Sequence, residues 1–254
     1  MLREVENLMR KSYVDWFRLL ESHGIQLKCN DSLEMLKELY ARRNILMHNA
    51  GFVNQQYLTN APATSVEIGD RLTTDESYLE KAFLCIQIII FSLHIAAEKL
   101  VKDRGEDYIN NIFNMLFERL QNEEYELCTM VYKALYESKS ADASIKLMSR
   151  INYWIAEREL NGIESIRSEV ETYDMRSSER IYILAKELLL DNYTVAMQLL
   201  EKLYLREDVT PFMIKHWPLF KNFRKTEFYS QFVKVHANDF DKPTLELDSE
   251  VSTS

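Results

Sequence analysis

Turn-forming residues are scarce in this 254-residue chain, which holds 5 glycines and 4 prolines. Sheets need frequent reversals, and reversals draw heavily on Gly and Pro. A sheet-rich fold is therefore disfavoured, and long helices with short connections are expected: the reading is all-α. Cysteine is scarce too. Cys29, Cys85 and Cys128 are scattered, with no CxxC spacing and one left over from any pairing. That argues against a disulfide framework and for free thiols in a reducing, cytoplasmic setting. No His or Cys stands at ligand spacing from them, so neither a metal nor a cofactor is expected. Basic charge is in deficit, with 31 Lys and Arg against 40 Asp and Glu and a net charge of −9. Nucleic-acid binding by a broad basic surface is disfavoured, and any such site must be a local basic cleft. GxSxG, P-loop and HExxH patterns are all absent, which removes the common hydrolase and nucleotide-binding signatures. Met1 is followed by "LREVENLMRK", with acids and no apolar core, which argues against a secretory leader.

What is present is helical periodicity. Apolar residues recur at Val5, Leu8, Met9, Tyr13, Trp16, Phe17 and Leu20, a stripe that predicts a helix over 1–22 ending near Gly24. Asp31 or Ser32 is a natural cap for a second helix using Leu33, Leu36, Leu39, Ile45 and Leu46, stopped by Asn49 and Gly51. Residues 52–75 lack a sustained period and predict a long loop. Thr74 or Asp75 then caps an apolar helix reaching about Lys102. Its most apolar run, Ala82 to Ala97, has 16 residues and contains Gln87, Ser92 and His94. That is short and polar for a membrane span, so burial in a bundle or a dimer interface is expected and no membrane.

Beyond Glu106 the pattern becomes a succession of shorter helices, predicted at 107–121, 123–137, 142–159, 162–173, 177–190, 193–205, 209–221 and 225–236. Tyr125 and Tyr193 open similar segments 68 residues apart, twice the 34-residue period of tetratricopeptide repeats, while the copy at Ile163 is out of phase by four. The expected organisation is a helical domain over 1–104, tetratricopeptide-like repeats over 105–236 with a protein partner, and a disordered acidic tail over 237–254.

The stretch "ELYARRNILMHNAGF", Glu38 to Phe52, carries the chemistry. Asn44 and His48 are i and i+4 and share one helix face. Arg43 sits about 140° round from His48, about 7.5 Å away along the axis, within reach of a long side chain. His48 falls in the last turn, where the helix dipole favours the imidazolium and a proton can be given or taken.

Arg43-Asn44-Ile45-Leu46-Met47-His48, continued by Asn49, Gly51, Val53, Asn54 and Tyr57 and then by Gly69, Leu72, Tyr78 and Leu79, resembles the HEPN superfamily. The likeness is to the branch found in toxin and antiviral-defence ribonucleases. It covers about residues 1–102, and members of the family usually have one or two helices before the segment that begins here at Met1. The resemblance implies a metal-independent endoribonuclease, an RNA substrate, and a homodimer in which two motifs face one cleft. Arg43, Asn44 and His48 are the catalytic candidates. Arg42, Asn49 and Arg71 are the substrate-binding candidates beside them. The competing reading is a non-enzymatic dimerisation module joined to a protein-binding repeat scaffold.

Overall fold

The structure, a computed structural model, describes residues 12–61, 65–97, 105–138, 141–175 and 179–240. The first half of the helix expected over 1–22 lies outside them. Its second half is α1, Tyr13–Ser22, opened by a capping box: the Ser12 hydroxyl accepts from the Asp15 amide and the Asp15 carboxylate accepts from the Ser12 amide. Next come α2, Asn30–His48, α3, Gln55–Asn60, and α4, Glu76–Ala97. α2 starts one or two residues before the expected caps, and the residue before it, Cys29, makes no side-chain cap. Ser32 is instead buried, and its carbonyl accepts from the Cys85 thiol at 2.8 Å, docking α2 on α4. Burial pushes the Cys85 thiol up to about 11 and raises Cys29 as well. Both are therefore protonated packing residues at neutral pH.

The long loop expected over 52–75 is interrupted by α3. Asn54 caps it, accepting from the Tyr57 amide at 2.9 Å. A helix of under two turns is too short to display a period, which is why the sequence pattern hid it. Ala41 and Ile45 from α2 meet Val53, Tyr57 and Ala61 in a small core, with Leu58, Val66 and Leu72 packed against it. Gly51 makes the reversal after α2 possible. Its φ is +83°, and a Cβ there would stand 2.7 Å from the Leu72 carbonyl. The Gly51 amide returns to the Ile45 carbonyl, the Leu72 amide bonds the Gly51 carbonyl, and Phe52 pairs with Arg71 in an isolated antiparallel bridge. No strand forms among the described residues, and the fold is all-α.

The later helices are α5, Gly105–Gln121, α6, Tyr125–Tyr136, α7, Ala143–Asn161, α8, Glu164–Thr172, α9, Arg180–Leu189, and α10, Tyr193–Tyr204. α11, Pro211–His216, two short 3-10 turns, α12, Glu227–Val235, and α13, Ala237–Phe240, complete the described residues. Two compact units emerge: 1–116 with 130–149, and 117–129 with 150–254. The boundaries at 116/117, 129/130 and 149/150 fall inside α5, α6 and α7, whereas the change of sequence texture lies at 104.

Within the second unit one turn recurs. Glu123 and Asp191, 68 residues apart, both take positive φ (63° and 59°) two residues before Tyr125 and Tyr193, whose amides bond back to them at 2.8 Å. Lys221 ties the first turn down through Glu123 at 2.8 Å, Glu159 at 3.0 Å and the Tyr125 hydroxyl at 2.8 Å. Arg158 closes the second by donating to the Leu188 and Leu189 carbonyls and to both oxygens of Asp191.

The helix expected over 209–221 stops at His216. Pro218 disfavours helical geometry in the residue before it, and Trp217 is extended. The acidic tail expected from 237 starts instead as helix. Phe240 is buried, the Tyr204 hydroxyl donates to Asp239, and Lys215 donates to the Phe240 carbonyl. Residues 241–254 of that expected tail lie outside the described residues.

Among the described residues one helix, α4, is long and apolar enough to cross a membrane by length and composition. It has 22 residues rather than the 16 of its most apolar run, and only 28% of its most apolar window is buried. The buried side carries Ala82, Cys85, Ile88, Ile89 and Phe91. Leu79, Phe83, Ile86 and Ile90 form an exposed stripe at 4-3-4 spacing.

Candidate active site

The end of α2 and the whole of α3 enclose a cleft of about 320 Å³. α2 contributes Ala41, Asn44, Ile45 and His48, the turn contributes Asn49 and Asn54, and α3 contributes Gln56, Tyr57 and Asn60. Ala41, Ile45 and Tyr57 are its buried floor, while Asn44 and His48 are exposed at its rim. These described walls hold five side-chain amides, one imidazole and no carboxylate, on a chain whose net charge is −9.

Arg43 is exposed and donates to the Asn44 Oδ1 at 3.2 Å. Asn44 and His48 line the same cleft one turn apart, and Arg43 adjoins that cleft through Asn44. Asn49 reaches the same cleft, and its amide also donates to the Phe52 carbonyl at 2.7 Å, holding the turn after His48.

Arg42 and Arg71 are used elsewhere. Arg42 is 17% exposed and its Nε bonds Glu38 at 2.7 Å. Its Nη1 donates to the Thr73 carbonyl at 2.9 Å, and its guanidinium lies 4.0 Å over the Tyr78 ring. Glu38 also accepts from the Tyr57 and Tyr78 hydroxyls, each at 2.7 Å. Burial and then Glu38 raise the Tyr57 hydroxyl to about 12, and the same causes push Tyr78 higher still. For Arg42 burial pulls downward, but Glu38 outweighs it and the net direction is up. These four side chains clamp α2, α3 and α4 together behind the cleft floor. Arg71 sits in the bridge with its guanidinium 5.9 Å from the Phe52 ring. Neither Arg42 nor Arg71 lines the cleft.

Gln56 and Asn60 form a wall that motif reasoning missed. The available signal was Asn54, a strong capping residue followed three positions later by an aromatic, which announces a short helix facing α2. Among the described residues no group of three or more His, Cys, Asp or Glu is placed to hold a metal ion. No family model, no curated protein and no solved structure matches the chain.

Proposed function

We propose that this chain is a metal-independent endoribonuclease of HEPN type that acts as a homodimer. The observation that carries the reading is the amide-lined, carboxylate-free cleft with His48 at its rim and Arg43 joined to Asn44. Amides suit the hydroxyls and base edges of RNA, and the absence of lining carboxylates admits a phosphate. RNA brings its own nucleophile. His48 takes the proton from a ribose 2′-OH, the oxygen attacks the adjacent phosphorus, and Arg43 stabilises the charge on the equatorial oxygens. The 5′-oxygen of the next nucleotide leaves with a proton, giving a 2′,3′-cyclic phosphate and a 5′-hydroxyl. Asn44 orients the imidazole, and Asn49 fixes the turn that carries it.

One imidazole cannot be base and acid in the same step, and a second copy resolves this by supplying the partner's His48. The α4 stripe gives that copy a surface. Phe83 is 65% exposed, and Leu79, Ile86 and Ile90 extend it at the 4-3-4 spacing of a helix–helix seam. A second copy of the same helix is the self-complementary occupant of such a seam. The turn recurring at Glu123 and Asp191 supports a tetratricopeptide-like second unit whose partner is a protein segment. Together these features fit a cytoplasmic effector of toxin or antiviral-defence type.

The test is cleavage of a mixed RNA pool by wild type and His48→Ala. Loss of a general acid or base costs about 10²–10⁴-fold in rate. Arg43→Ala is expected to be severe, and Arg43→Lys only partly active because an ammonium lacks the guanidinium fork. Cleavage is expected to persist in EDTA. Equal cleavage by wild type and His48→Ala would refute the assignment and leave the dimerising scaffold as the better reading.

A further inference from the structure

We propose that a second cleft, formed by α1 and the middle of α2, is a stacking subsite for an unpaired RNA base a few nucleotides from the scissile phosphate. This deepens the ribonuclease reading and rests on it for the direction of the strand. The cleft has about 470 Å³ and is lined by Tyr13, Trp16, Lys37 and Tyr40 together with Ala41, Asn44 and Asn60. Those last three residues also line the His48 cleft. The two cavities therefore adjoin at these residues, and a strand crossing Asn44 and Asn60 would reach both.

The helix register makes the connection directional. Tyr40, Asn44 and His48 occupy i, i+4 and i+8 of α2, one face spanning about 12 Å. That distance is three to four nucleotides at the ~3.4 Å rise of a stacked strand, fewer if the strand is stretched. A phosphate at His48 thus places a nearby base over Tyr40.

The Tyr40 ring is suited to receive it. Tyr13 stacks on it at 4.4 Å between centroids with 28° between planes, which fixes the ring. Yet Tyr40 remains 47% exposed. An aromatic meant only for the core of a helix pair would be covered. Lys37, one turn before Tyr40, supplies the charge for a backbone phosphate. Its present partner is Glu34 at 2.5 Å, an i,i+3 surface pair with both side chains about half exposed. Such pairs are worth about 0–1 kcal/mol, so exchange for a phosphate costs little. Stacking requires a free base face, which a duplex hides, so the subsite selects single strands.

The experiment uses the full-length protein and a fluorescent, single-stranded RNA pool carrying 2′-O-methyl groups, which blocks cleavage and isolates binding. By anisotropy, Tyr40→Ala is expected to weaken binding about 5- to 150-fold, equivalent to ~1–3 kcal/mol per lost stack. Tyr40→Phe keeps the ring and binds like wild type, which separates stacking from misfolding. Lys37→Gln lowers the slope of log affinity against log salt by about 0.7, one phosphate contact. The duplex form binds weakly and does not respond to Tyr40→Ala. Wild-type binding that Tyr40→Ala leaves intact overturns the subsite even if unblocked RNA is cleaved. Tyr40-dependent binding without cleavage of unblocked RNA upholds the subsite and overturns the nuclease. Dissociation of an oligomer by Tyr40→Ala with unchanged RNA affinity would reassign the cleft to a protein interface.

Discussion

Replacing Glu38 tests whether the clamp behind the cleft is structural. Its carboxylate receives Arg42 Nε, Tyr57 OH and Tyr78 OH, all at 2.7 Å, and its side chain is 12% exposed. A surface i,i+4 pair on one helix contributes about 0.3–0.5 kcal/mol. A partly buried carboxylate with three charge-assisted bonds is a different object. Each such bond is worth about 1.5–3 kcal/mol, the three are not additive, and Glu38→Ala leaves Arg42 with the Thr73 carbonyl and the Tyr78 ring alone. Removing one partner of a fully buried pair costs about 3–5 kcal/mol; this pair is partly buried, so the expected loss in urea unfolding followed by circular dichroism is about 1.5–3 kcal/mol. Against a typical domain stability of about 5–15 kcal/mol, a loss of that size is easily measured. Glu38→Gln retains the shape and two acceptor directions and is expected to cost about half as much. Glu38→Ala/Arg42→Met should cost less than the sum of the two single changes, since the stranded charge is gone. A Glu38→Ala loss under ~1 kcal/mol would show that Arg42 and Glu38 behave as an exposed pair, and Arg42 would return to the pool of substrate ligands.

Phe83→Asp places a charge in the centre of the α4 stripe and is expected to convert a dimer to monomer in light scattering while the helical circular dichroism stays. Wild type that is monomeric at micromolar concentration would refute the seam, and wild type that partitions into vesicles would give the stripe a membrane as its cover. Alkaline pH should loosen the first unit. The Tyr57 hydroxyl rises from an ordinary 10.0 to about 12 in the fold, so its stabilisation is complete below pH 10 and is lost as pH climbs through about 12. The loss is at most about 3 kcal/mol at ~1.4 kcal/mol per decade of proton affinity. Tyr57→Phe should flatten this part of the stability–pH curve, and an unchanged curve would refute the raising of the Tyr57 hydroxyl by burial and Glu38.

Helix type and most helix positions were legible because apolar periodicity over three or more turns is unambiguous. What escaped were events shorter than a period or dependent on distant partners. α3 has six residues and declares itself only by its cap. The break at Trp217 was available from Pro218 but was overridden by the apolar run around it. Phe240 sits in a segment whose acids and proline read as tail. Burial against Tyr204, Tyr229 and Phe232 is a tertiary fact that local composition cannot contain.

The two arginines show the same limit at the site. Arg42 and Arg43 are adjacent, and a motif reading gives both to the substrate. Adjacent helical residues point about 100° apart, so a helix packed on two sides cannot use both alike. α2 divides its surface accordingly: Ala41 and Ile45 enter the core, Glu38 and Arg42 close the clamp, and Lys37, Tyr40, Asn44 and His48 line the two clefts. Each set is spaced by three or four residues, so each is a stripe of the same helix. The clamp stripe is charged yet largely covered, while Tyr40, Leu46 and Met47 are exposed, which is why the overall amphipathic signal of α2 is weak. In that geometry Arg42 positions the floor beneath the cleft, and Arg43, bonded to Asn44 at the rim, is the guanidinium that the proposed reaction assigns to the phosphate.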